Sequence, residues 1–229
     1  MAERFSTIES DPYSWPFDGR WSADDSALLL LGFQIGTIAA LHADAELAVA
    51  GELADAARSA GLPVIASRRG CDGALSPVAS RRALRGDPLF EAGSTEWQIA
   101  DALGVGAGGD AHAVRLALAR GELGRALVLG DLDLHPGDNA FYSTGLEAWL
   151  RTRCIRNLVL AGLPTEGLLH ATQRAANDMG FECMAISDAC KGTTEARHNG
   201  QLRITAFGNG LFGTVARSNQ FLAALRAPA

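Results

Sequence analysis

Few side chains in this chain have both the chemistry and the neighbours to act on a substrate. Covalent hydrolysis needs an activated nucleophile, most simply a thiolate whose pKa a nearby cation or base has lowered. Cys71 follows Ser67-Arg68-Arg69-Gly70, so two guanidinium groups adjoin it, yet no His or Asp is linked to it in sequence. It reads as a loop thiol, and the Arg68/Arg69 pair as solvated surface. Cys154, Cys183 and Cys190 show no metal-type spacing, and all four cysteines read as free thiols. His135, Glu166 and His170 are the remaining raw material. A His or a carboxylate can activate water as a general base, and two His with a carboxylate can hold a metal. The histidines lack the i, i+4 spacing of a helical metal site, so no metal is expected.

These residues must be positioned by the stretch 156–192, which reads as strand, turn, helix and strand in succession. Residues 157–161, Asn-Leu-Val-Leu-Ala, form the short apolar run of a strand buried on both faces of a parallel sheet. Gly162-Leu-Pro-Thr-Glu-Gly167 breaks the run, and Thr165 is placed to cap the helix that follows. Gly180 ends that helix, and residues 181–186 return as the next buried strand, with Cys183 in its core. Ligands of open α/β sheets bind at the carboxyl ends of strands, so Leu163, Pro164, Thr165 and Gly167 are the expected binding residues. Glu166 and His170 flank Leu168 within the same unit.

The rest of the chain supports that unit. Apolar runs at 26–31, 64–66 and 126–129 read as strands, and 43–60, 111–120, 144–153 and 218–225 as helices. Alternating strands and helices imply an α/β fold, a three-layer doubly wound sheet, mostly parallel and Rossmann-like. Residues 1–25 form an arm in which Trp15 and Trp21 sit among acids and serines. Its aromatics should pack either on their own domain or on a neighbouring subunit, and 26–229 read as a single domain. Gln34, just past the first strand, is either a pocket amide or a side chain that satisfies strand-end backbone. The run Gly104-Val-Gly-Ala-Gly-Gly109 lacks a strong strand before it, so it is not read as a dinucleotide loop and no cofactor is expected.

Charge narrows the partners. A formal net charge of -6 with scattered Lys and Arg leaves no footprint for nucleic acid or an anionic membrane, and a small neutral or polar ligand fits better. No apolar run approaches the ~20 residues of a membrane span, and the start of the chain is too polar for a signal peptide. A cytoplasmic location is the resulting expectation.

Several motifs carry a resemblance. They are Asp11-Pro-Tyr-Ser-Trp-Pro16, the Ala27-Leu-Leu-Leu-Leu31 strand running into Gln34, and Gly104-x-Gly106-x-Gly108. Further on come His135-Pro-Gly-Asp-Asn-Ala-Phe141, Leu160-Ala-Gly-Leu-Pro-Thr165, Ala176-Asn-Asp-x-Gly-Phe-Glu-Cys183, Asp188-Ala-Cys190 and Leu211-Phe-Gly213. With these the chain resembles the isochorismatase-like cysteine hydrolases, and among them biuret hydrolases most closely. The resemblance implies the isochorismatase fold. It also implies a Cys nucleophile, an Asp that shuttles its proton, a Lys that supports charge, and two turn N–H groups that hold the oxyanion. Those side-chain positions hold Leu168, Gly32 and His135 here. Asp131 and Asp133 are alternates to His135, because the chain is several residues shorter than its relatives in this region.

The Cys-independent isochorismate-cleaving branch needs the same Asp, so both routes lose a required group. The expectation is a pseudo-hydrolase serving as a structural, partner or ligand-binding subunit. The alternative is a divergent hydrolase of a small amide or ureido compound acting through His135, Glu166 or His170. The resemblance further implies a cis Leu163-Pro164 bond, a structural role for Cys190, and a homo-oligomer or a hetero-oligomer with an active paralogue.

Overall fold

The computed structural model describes residues 4–70, 77, 80–81, 90–91, 93–104, 126–130, 139–142 and 144–226. His135, Asp131, Asp133, Cys71 and the helix expected at 111–120 lie outside them. Six strands form one sheet: β1 Ser26–Leu31, β2 Val64–Arg68, β3 Ala126–Gly130, β4 Asn157–Gly162, β5 Glu182–Cys190 and β6 Thr214–Ala216. Their order is β3-β2-β1-β4-β5-β6, and every neighbouring pair is parallel. Parallel neighbours require crossovers, which helices α1 Ile35–Leu41, α2 Asp44–Ser59, α3 Leu146–Thr152, α4 His170–Asp178, α5 Glu195–Gly210 and α6 Ser218–Arg226 help to supply.

Strand side chains alternate between two cores, one on each face of the sheet. Leu28, Leu30, Val64, Ala66, Val159, Ala161, Met184 and Ile186 pack with α2 and α6. Leu29, Leu31, Ile65, Leu158, Leu160, Cys183 and Ala185 pack with Trp149 and Leu150 of α3 and with Leu168, Leu169 and Ala176. Uniformly apolar strands are thus the signature of a sheet covered twice.

The arm packs on its own domain. Trp15 and Trp21 are buried with ring centroids 5.3 Å apart, and Trp21 lies 5.9 Å from Phe221 of α6. Arg156 holds the arm's Asp18 at 2.8 Å and donates to the Arg20 carbonyl at 2.6 Å. Farther out, Asp11 and Val215 of β6 exchange backbone hydrogen bonds of 2.9 Å in each direction.

Four elements differ from the sequence expectation, one of them α1, Ile35–Leu41, which has no counterpart in it. β2 runs on to Arg68, and β5 runs on to Cys190 through an irregularity: it advances from Ala185 to Cys190 while β4 advances from Leu160 to Gly162. Such a bulge re-aims side chains, and Ser187 and Asp188 leave the core there. Helix α5 has no strong apolar stripe. Its buried residues are Gln201 and Thr205, so hydrophobic periodicity could not reveal it.

Candidate functional site at the carboxyl ends of β1 and β4

Adjacent parallel strands β1 and β4 end side by side, with Leu31 in register with Gly162, and each continues into a tight turn. Leu163 N–H donates to the Leu31 carbonyl at 2.8 Å, and Gly32 N–H to the Ser67 carbonyl at 2.9 Å. This pinning brings the Leu163 carbonyl over the Gly32 Cα. A Cβ built on Gly32 would sit 2.3 Å from Leu163 O and 3.0 Å from Leu168 Cδ2, and Gly32 has φ +71°. Glycine is therefore the residue this geometry admits. Leu168 is 2 % exposed, belongs to the α3/α4-side core and closes over Gly32.

The turn itself is turned inward. Leu163-Pro164 is cis, as expected. Thr165 does not cap the helix: residues Thr165–Leu169 form a π-type turn in which Gly167 leaves helical geometry (φ -112°, ψ -107°). The Thr165 hydroxyl instead meets His198 Nδ1 at 2.8 Å. Thr165 N–H donates to the Lys191 carbonyl, while Gly167 and Leu169 N–H both donate to the Pro164 carbonyl. Three N–H groups of the turn are thus already committed.

Gln34 is buried and fully employed by backbone. Its Nε2 donates to the Arg69 and Trp97 carbonyls at 2.7 and 3.1 Å, and its Oε1 accepts from Arg69 N–H at 2.9 Å. It staples the β1 and β2 ends to the segment carrying Trp97. Gln34→Ala should therefore lower stability by about 2 kcal/mol, since three buried backbone groups lose their partner. Urea denaturation checks this, and a loss within experimental error of zero would mean the loops re-pair without it. Arg68 and Arg69 are not solvated surface: both are buried, and the Arg68 guanidinium lies 3.2 Å from the Trp97 ring centroid and donates to Gln98. Burial pushes the Arg68 pKa down to about 10.

Glu166 and His170 do not converge. Glu166 Oε1 accepts from the Thr193 N–H at 3.0 Å and from the Thr193 hydroxyl, at the β5–α5 connection. His170 Nδ1 meets Gln201 Nε2 of α5 at 2.6 Å, and its ring stands edge-on to Phe212. Burial, with Arg174 adding to it, pushes the His170 pKa down. The amide is a donor there, so a neutral ring accepting at Nδ1 fits. Burial pushes the Cys190 thiol up to about 12 and the Cys183 thiol higher still, which leaves both unreactive. Among the described residues, no three His, Cys, Asp or Glu side chains converge as metal ligands. No helix among them is long and apolar enough to cross a membrane. Sequence reasoning gave no role to His198, Lys191 or Thr193, whose signal lay in the Thr194 N-cap of a helix that periodicity did not reveal.

Comparison with known proteins agrees with this architecture. Residues 135–220 match the isochorismatase domain family. The isochorismatase family protein YecD of Escherichia coli O157:H7 is 38% identical over 63 residues, 28% of this chain and 34% of that protein. The isochorismatase family protein YddQ of Bacillus subtilis is 30% identical over 92 residues, 37% of this chain and 51% of that protein. The chain thus spans about a third and about half the length of these curated relatives. A cysteine hydrolase from Pseudomonas syringae pv. phaseolicola superposes with TM-score 0.68 at 16% identity, covering 96% of this chain and 97% of that one. N-carbamoylsarcosine amidase from Thermoplasma acidophilum gives 0.61 at 16% identity, covering 85% and 97%. The chain has the isochorismatase-like fold, with an isochorismatase domain match in its carboxyl-terminal part.

Proposed function

We propose that this chain is a catalytically silent relative of the isochorismatase-like cysteine hydrolases, keeping their scaffold as a structural, partner or ligand-binding subunit. The observation that carries this reading is the contact of Leu168 and the Leu163 carbonyl with Gly32. In the resembling enzymes a thiolate and a carboxylate would meet there; here apolar packing and a main-chain oxygen fill the space. Covalent amide hydrolysis has no nucleophile at Leu168, and vinyl-ether hydrolysis has no acid at Gly32. General base catalysis alone contributes about 10² to 10⁴, too little for amide cleavage. Of the residues the relocated-site reading offers, Glu166 and His170 face different partners on the α5 side, and His135 lies outside the described residues.

Purified protein is expected to show no turnover of biuret, other ureido amides, nicotinamide or isochorismate above background. Robust turnover lost in His135→Ala or Glu166→Ala, yet kept in Cys71→Ser and Cys190→Ser, would overturn the proposal. As a subunit, the chain is proposed to form a homo-oligomer or to join an active paralogue. Light scattering alone and in mixtures with candidate paralogues tests that part, with a persistent monomer as the adverse result.

A further inference from the structure

The bulge in β5 opens a second place at the carboxyl end of the sheet, away from Gly32. Between the start of α2 and the start of α5 lies an open cavity of about 600 Å³. Its charged lining can be accounted for pair by pair. Lys191 Nζ is held by the His42 carbonyl at 2.8 Å and by Glu46 at 3.4 Å. Asp188 accepts from the Ser218 N–H and hydroxyl, each at 2.8 Å, and pairs with Arg217 at 3.4 Å. Glu195 has no ion pair among the described residues, so the lining keeps one uncompensated carboxylate.

Two further groups can add acceptors to the same wall. His198 lines the cavity with Nδ1 engaged by Thr165, which leaves Nε2 without a hydrogen-bond partner among the described residues. Burial pushes the His198 pKa down, against the pull of Glu46, Glu166 and Glu195, so the ring is neutral, and in the tautomer that donates Nδ1–H to Thr165 Oγ1 its Nε2 accepts. Behind Gly192, Glu166 Oε2 is buried with no donor among the described residues and adds negative potential to the same wall. Leu41 and Leu202 supply apolar surface.

We propose that this cavity binds a small organic cation, a primary alkylammonium whose head is received by Glu195 and His198 and whose short tail rests on Leu41 and Leu202. A few placed polar groups beside apolar surface are what small-ligand sites commonly offer. The site does not require the chain to be catalytically silent.

The test is isothermal titration of the full chain, at low salt and near-neutral pH, with three ligands of equal carbon number: n-butylammonium, 4-aminobutyrate and butyrate. The cation is expected to bind at millimolar concentration, the zwitterion more weakly, and the anion not at all. Glu195→Gln should weaken n-butylammonium about tenfold, the scale of one hydrogen bond to a charged group. Arg217→Ala, which frees Asp188 from its cation, should tighten it. Absence of cation binding, equal binding of butyrate, an unchanged affinity in Glu195→Gln or weaker binding in Arg217→Ala would each overturn the inference.

Discussion

Replacing Gly32 by aspartate should cost the fold about 4 kcal/mol rather than supply the site with an acid, placing it among the most damaging single substitutions. The positive φ is a minor part, because Asp tolerates left-handed backbone better than most residues. The contact decides. A Cβ would lie 2.3 Å from Leu163 O, a backbone atom fixed by the Leu163 N–H bond to Leu31 on the neighbouring strand. The carboxylate would then be buried beside Leu31, Leu163 and Leu168, which is a large desolvation cost. Gly32→Ala carries the same Cβ without the charge, so comparing denaturation midpoints of the two separates sterics from desolvation. An alanine variant as stable as the parent would show that the β1 and β4 ends can part.

Truncating Leu168 should be nearly as costly. Leu168→Ala removes a side chain that is 2 % exposed and seated in the α3/α4-side core, for an expected loss of about 3 kcal/mol. Leu168→Cys is the informative companion. Its thiol would enter the same apolar surroundings in which burial raises the Cys190 thiol, so it should resist alkylation in the folded protein and confer no hydrolysis. Turnover gained by this variant alone would mean that a hydrolytic centre is complete here apart from one side chain.

How much was legible in the sequence depended on where each signal lived. β1, β2 and β4 were visible because a strand covered on both faces reads as an unbroken apolar run. Helix α5 was not, because its buried positions are Gln201 and Thr205, residues that carry no hydrophobic period. Arg68 and Arg69 looked like surface charges, yet β2 lies between β1 and β3, and Trp97 arrives from far along the chain to cover Arg68. That position 32 carries no side chain could be read directly. That the backbone forbids one could not, since the atom responsible is the carbonyl of Leu163, more than a hundred positions away. Thr165 had the right type for a helix cap, but the off-helix Gly167 changed the first turn, and its hydroxyl went to His198.

The reciprocal bonds between Asp11 and Val215 bear on how copies of this chain can meet. An outermost strand with unpaired N–H and C=O groups is a template onto which a foreign strand can add, prolonging the sheet from molecule to molecule. β6 is only three residues long, and the arm occupies its central residue on the side away from β5. The segment around Asp11 thus acts as a plug against strand recruitment at this margin of the sheet.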